Sequence, residues 1–148
     1  MTRAIAMMAL VLLVVFETMG PVLAAPRGAL IVRNDRGGVI HTRVAEVAAL
    51  RASGQRVEIH AGQCLSSCTL LLAVENLCIS PRARFGFHGP SHYGQPLHPT
   101  DFEHWSQVIA AHYAPALRRW FLNEARYTTR GFKRLSGAEL IRMGYPSC

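Results

Sequence analysis

The chain has 148 residues and a formal net charge of +7, which bounds it to one domain with a modest core. Lys133 is the only lysine; the arginines are scattered, and only Arg118-Arg119 and the Arg126 to Arg134 stretch form clusters. No nucleic-acid motif accompanies them, so the charge reads as a solvated face and not as a specific nucleic-acid partner.

The first 25 residues read as a leader. Arg3 supplies a positive start, Ala4 to Phe16 is an unbroken apolar run, and Gly20-Pro21 precedes the small-residue pattern Val22-Leu23-Ala24-Ala25. This predicts a secretory signal peptide cut after Ala24 or Ala25, a mature domain over 26–148, and a periplasmic or secreted location. The run is shorter than the roughly 20 residues of a spanning helix, so no stable membrane span is expected after cleavage. An uncleaved signal anchoring the chain to a membrane is the alternative.

Gly28 to Arg33 is apolar and reads as a buried strand, broken at Gly37-Gly38. From His41 to Ala52, Val44, Val47, Ala48 and Ala49 recur at helical spacing until Gly54. Val57 to His60 is a second strand and Gly62 to Cys64 a turn. Ser66 to Val74 is apolar nearly all round and predicts a buried helix. Leu77 to Ile79 and Arg84 to Phe87 are two further short strands. His88 to Pro99 is a loop. Thr100 to Glu103 has the form of a capping box opening a long helix. Trp105, Val108, Ile109 and His112 form its face, Pro115 kinks or splits it, and Leu117, Trp120 and Phe121 continue the stripe. A second capping box, Ser136 to Glu139, starts a short helix running to Met143. Alternating strands and helices predict an α/β domain with a mainly parallel sheet of βαβ units and a helical C-terminal part.

All four cysteines fall in the mature part, where an exported protein meets an oxidising compartment. They allow three full pairings. A bridge from Cys64 or Cys68 to Cys78 is expected, because a helix-turn-strand would bring them back together. Cys148 is left to join the core or another chain. No C-x-x-C pair or His-x-x-x-His accompanies them, so no metal site is expected, and nothing points to a nucleotide or flavin cofactor.

Three segments at strand ends carry chemistry. Ser66, at a strand-to-helix turn, sits where open α/β sheets place their sites, and a helix N-terminus favours a developing oxyanion. A serine hydroxyl needs a base. His88 follows a strand, opens a loop and has the pKa range for proton transfer. His60, at a strand end, is a further candidate partner. Gly37-Gly38 can turn backbone N–H groups inward; with the Ser67 N–H they would form an oxyanion hole. Read only locally, Ser66 or Ser67 is a helix N-cap and Gly37-Gly38 a plain turn.

Asn34-Asp35-Arg36-Gly37-Gly38-Val39-Ile40 resembles the Asn-Ser-Pro-Gly-Gly loop of the Clp-type serine peptidases, whose fold is shared with the crotonases. Gly62-Gln63-Cys64-Leu65-Ser66-Ser67 is similar to their Gly-x-Ala-Ala-Ser-Met nucleophile turn, and Phe87-His88-Gly89-Pro90 to their Ile-His-Gln-Pro segment. The likeness spans Leu30 to Pro90 and is nearest to small exported bacterial proteins of this superfamily, which carry two cysteines around the serine. It implies Ser66 as nucleophile, His88 as base, and a hole at Gly38 (or Gly37) and Ser67. It implies hydrolysis of a peptide or a small amide or ester, and the ring assembly common in such proteins makes a homo-oligomer an expectation. Two features depart from the family. Its aspartate precedes a Leu-Ser-Ala-x-Glu stretch matched by Leu135 to Glu139, and the equivalent position falls near Phe132, with no carboxylate between Tyr127 and Leu135. Asp101 and Glu103 are the candidate third members, and Lys133 the candidate for a Ser-Lys pair. The family's extra strand and helix before the Gly-Gly strand are also missing. A non-catalytic binding or interaction module on a degenerate Clp-like fold is the rival expectation.

Overall fold

The computed structural model describes residues 28–148; the expected leader lies outside them. The chain is mixed α/β. Strand β1 (Leu30–Asp35) leads through helix α1 (Ile40–Ser53) to β2 (Val57–Leu65). A 3-10 helix (Ser66–Ala73) then precedes β3 (Leu77–Ile79) and β4 (Arg84–Phe87). Helices α2 (Pro99–Ala110) and α3 (Pro115–Asn123), a 3-10 turn (Ala125–Tyr127), β5 (Lys133–Ser136) and α4 (Gly137–Arg142) complete the order.

One five-stranded sheet runs β1-β2-β4-β5, with β3 also paired to β2. β2 meets β1, β3 and β4 in parallel, and only β4 with β5 is antiparallel. One edge of β2 follows β1 along its length. The other edge is shared in succession: Val57–Ile59 pairs with β3 and Gln63–Leu65 with β4. β2 is therefore longer than Val57 to His60, and the expected turn at Gly62 to Cys64 is strand. The reason is a bulge on β2: between the pairs Val32–Ile59 and Asn34–Gln63, His60 to Gly62 stand opposite Arg33 alone. Gly62 belongs to that bulge at φ 150°, where a Cβ would fall 1.7 Å from the Arg33 carbonyl oxygen. The glycine serves a bulge and not a chain reversal.

The core gathers Ile59, Leu70, Leu71, Phe85, Phe87, Leu117, Phe121 and Leu140, all essentially inaccessible to solvent. Helix α1 buries Val47 and Leu50, while Ala48 and Ala49 face out. Gly54 ends it in the left-handed conformation. The expected capping box at Thr100 is absent: Pro99 already belongs to α2, and the His98 side chain accepts from the Thr100 amide. Pro115 does split the long helix, and the Ser136–Glu139 capping box forms with both of its hydrogen bonds. β5, within the arginine-rich stretch, pairs antiparallel with β4 and closes that side of the sheet.

Two disulfides form, Cys64–Cys68 and Cys78–Cys148. The expected bridge from Cys64 or Cys68 to Cys78 is thus corrected. The chain's last residues run back beside β3, with hydrogen bonds from the Ile79 amide to the Pro146 carbonyl and from the Cys148 amide to the Ile79 carbonyl. That brings Cys148 to Cys78 and leaves Cys64 and Cys68 for each other. Both bridges fit an oxidising compartment. Among the described residues, no helix is long and apolar enough to cross a membrane.

Loop-closure entropy makes the two bridges unequal. It assigns ~4 kcal/mol to the loop closed by Cys78–Cys148 and ~2 kcal/mol to the short Cys64–Cys68 loop. A Cys78→Ala/Cys148→Ala protein should therefore unfold at lower urea than a Cys64→Ala/Cys68→Ala protein, and the two denaturation midpoints check that order.

Candidate active site

Three parallel strands end side by side. Asp35 pairs with Cys64 at the close of β1 and β2, and Leu65 with Gly86 near the close of β4. The next residues of each strand exit at the same sheet edge, so Gly38, Ser66 and His88 line one cavity, with Ser67 between them.

Ser66, the first residue of the 3-10 helix after β2, is held in an unusual backbone conformation, φ 55°. A non-glycine residue there costs about 1–2 kcal/mol, and such strain gathers where a side chain must be displayed. Three contacts hold the turn. The Cys64–Cys68 bridge closes around it. The Thr69 hydroxyl donates to the Ser66 carbonyl at 2.7 Å. The Gly37 backbone, at φ 85°, packs so closely that a Cβ on it would lie 2.7 Å from Ser66 Cβ.

His88 Nε2 is 2.7 Å from Ser66 Oγ. Its Nδ1 is 2.6 Å from the Gly89 carbonyl oxygen. A carbonyl only accepts, so Nδ1 carries the ring proton and donates it. Nε2 is then the unprotonated nitrogen and accepts from the Ser66 hydroxyl. That is the tautomer a general base requires. Burial lowers the His88 pKa, opposed only in part by the Gly89 hydrogen bond. The Phe132 ring stands edge-on to the imidazole, 5.3 Å between centroids. A phenyl group thus occupies the neighbourhood where the family resemblance implies an aspartate.

The other predicted residues separate. The Gly37 amide donates to Asp35 Oδ1 at 2.7 Å, so it is already engaged and is not a free oxyanion donor. Asp35 is itself tied to Arg43. Among the described residues the Gly38 amide has no such partner, and the Ser67 amide lies in the first turn of the 3-10 helix, where N–H groups lack intrahelical acceptors. Asp101 is exposed in the first turn of α2. Glu103 accepts from Gln107 and pairs with Arg126, which together lower its pKa. Neither shares a hydrogen bond with His88; the group that meets Nδ1 is the Gly89 carbonyl. His60 pairs with Glu58 on β2, and Lys133 reaches toward Glu124. Among the described residues, no group of His, Cys, Asp and Glu is placed to hold a metal ion.

Two cavities meet at the serine. A largely enclosed one of about 60 Å³ extends beneath it to Ile109 and Tyr113. An open groove of about 510 Å³ runs outward along Val39, His41, His92, Leu97 and Trp105. The sequence reading missed Tyr113. Its hydroxyl lies 2.6 Å from Thr69 Oγ1, and its ring packs edge-on to Phe87 and Phe121. Its only signal was one aromatic residue between two helical patterns.

The two glycines should respond differently to a methyl group. Gly37→Ala places a Cβ 2.6 Å from the Leu65 carbonyl oxygen at a positive φ, whereas a Cβ on Gly38 meets nothing within 4 Å. Gly37→Ala should lower the melting temperature by several degrees, and Gly38→Ala should leave it nearly unchanged, as read by thermal unfolding. In comparisons with known proteins, no family model matches this chain and no curated protein matches it significantly.

Proposed function

We propose that the protein is an exported serine hydrolase of Clp-like type, acting on a peptide or a small amide or ester. The observation that carries this reading is the Ser66 Oγ to His88 Nε2 contact at 2.7 Å, with Nδ1 committed to the Gly89 carbonyl. Ser66 Oγ attacks the substrate carbonyl carbon while its proton passes to Nε2. The Gly38 and Ser67 amides take the negative oxygen of the tetrahedral intermediate. Collapse expels the amine or alcohol, which leaves with the proton from Nε2. Water then enters, gives a proton to His88 and releases the acid, restoring Ser66.

The order of the Gly-Gly, serine and histidine segments supports a Clp/crotonase-type assignment, and so does the parallel arrangement of β1, β2 and β4. The two disulfides and the leader-like first 25 residues support export. One observation favours a second reading, a binding module on a degenerate fold of this type: His88 is backed by a neutral carbonyl and a phenyl ring, not a carboxylate. Labelling by a fluorophosphonate separates the two. The enzyme reading expects covalent labelling that falls at least ~10³-fold in both Ser66→Ala and His88→Ala, with melting temperatures held. No labelling of the unaltered protein would favour the module.

The base acts only when neutral, and burial favours the neutral form of His88. As pH falls, activity should persist until the lowered folded-state pKa is reached. The acid limb of kcat/KM should therefore have its midpoint below the ordinary imidazole value of 6.5. A midpoint above that value would contradict the assignment of His88.

A further inference from the structure

The enclosed cavity beneath Ser66 bears on which substrates the site accepts. It is the one lined by Gly38, Ser66, Ser67 and His88 together, whereas the outer groove lacks Ser67. A carbonyl oxygen seated on the Gly38 and Ser67 amides belongs to the acyl half of a substrate. The acyl substituent and the leaving group are both bonded to that carbonyl carbon; the leaving group must depart to solvent, which gives it the open groove and leaves the enclosed cavity to the acyl substituent.

Size, polarity and charge of the enclosed cavity then limit the acyl group. Its volume is about 60 Å³. At ~15 Å³ for each water-sized group, this holds about four non-hydrogen atoms. Its floor is Leu70, Ile109 and the Tyr113 ring, on well-packed elements. Of the hydroxyls around the cavity, those of Thr69 and Tyr113 are already engaged, while the buried Ser67 hydroxyl has no hydrogen-bond partner and can meet one polar atom near the carbonyl. Thr69 gives its hydroxyl proton to the Ser66 carbonyl, so in the short contact with Tyr113 the tyrosine must donate. No hydroxyl proton of that pair is left for a polar acyl group. Among the described residues, no lysine, arginine, aspartate or glutamate lines either cavity.

Resting on the hydrolase reading, we propose that this site is selective for short, uncharged, largely apolar acyl groups of about two to four carbons, of the size of an alanine residue or an acetyl to butyryl ester. The leaving half can be much larger, because it lies in the open groove. Specificity is set on the acyl side by Ile109 and Tyr113, which close the pocket from the helical part of the chain. Burying an apolar chain that fits favours binding by about fourfold per methylene, while one that does not fit must displace packed side chains.

The test holds the leaving group constant. With p-nitrophenyl acetate, butyrate and octanoate, kcat/KM should be similar or rising from acetate to butyrate and should fall at least ~30-fold at octanoate. Ile109→Ala, and the milder Ile109→Val, should move the fall toward longer chains. The ester series on the unaltered protein decides the matter even where a variant folds poorly. Equal rates on all three esters, with Ser66 labelled by a fluorophosphonate, would overturn the pocket assignment and leave the hydrolase reading in place. No turnover of any ester together with no labelling would overturn both.

Discussion

A carbonyl oxygen has only lone pairs to offer, and that constraint organises the site. Because the Gly89 carbonyl faces Nδ1 of His88 at 2.6 Å, the imidazole has one tautomer open to it and one orientation. Nε2 is then free to meet Ser66. The arrangement fixes geometry without adding charge. A carboxylate in the same place would do both, since it also stabilises the imidazolium formed during turnover. A neutral carbonyl and an adjoining phenyl ring instead leave the charged form of His88 disfavoured by burial. The site is thus built to hold a neutral base in place more than to welcome its proton.

The position of that base depends on the sheet. β1, β2 and β4 run in parallel and finish in register, so residues remote in sequence meet at one edge. The bulge at Gly62 lets β2 continue past the point where β3 ends and pair next with β4. Without that extension Leu65 would not lie beside Gly86, and Ser66 would not face His88. The helical C-terminal part closes the inner cavity with Ile109 and Tyr113, and Tyr113 reaches the serine's own carbonyl through Thr69.

Much of this was legible from local signals. Short apolar runs marked β1, β3 and β4, Gly54 marked the end of α1, Pro115 the break between α2 and α3, and Ser136 with Glu139 the cap of α4. Each reports a preference acting within a few residues. His88 stood out because it follows directly on a strand-like run, and Ser66 because it opens an apolar run after a strand and a glycine turn. What escaped was non-local. Gly62 has the same composition whether it makes a turn or a bulge. β5 carries Lys133 and Arg134 because those side chains are exposed, which hides it among charges. The disulfide pairing follows from the last residues returning along β3. The Gly89 carbonyl left no trace at all, since every residue has one.

The Cys64–Cys68 bridge has a consequence for reactivity. A thiolate is a far better nucleophile than an alcohol, and two sulfur atoms flank the serine two residues away on either side. Both are fully buried and bonded to each other, and the chain has no free cysteine. Alkylating agents such as iodoacetamide have nothing to react with here, and oxidants find no sulfenic acid to form. With both sulfur atoms tied up, the pocket is left with hydroxyl oxygens and an imidazole nitrogen as its electron-pair donors.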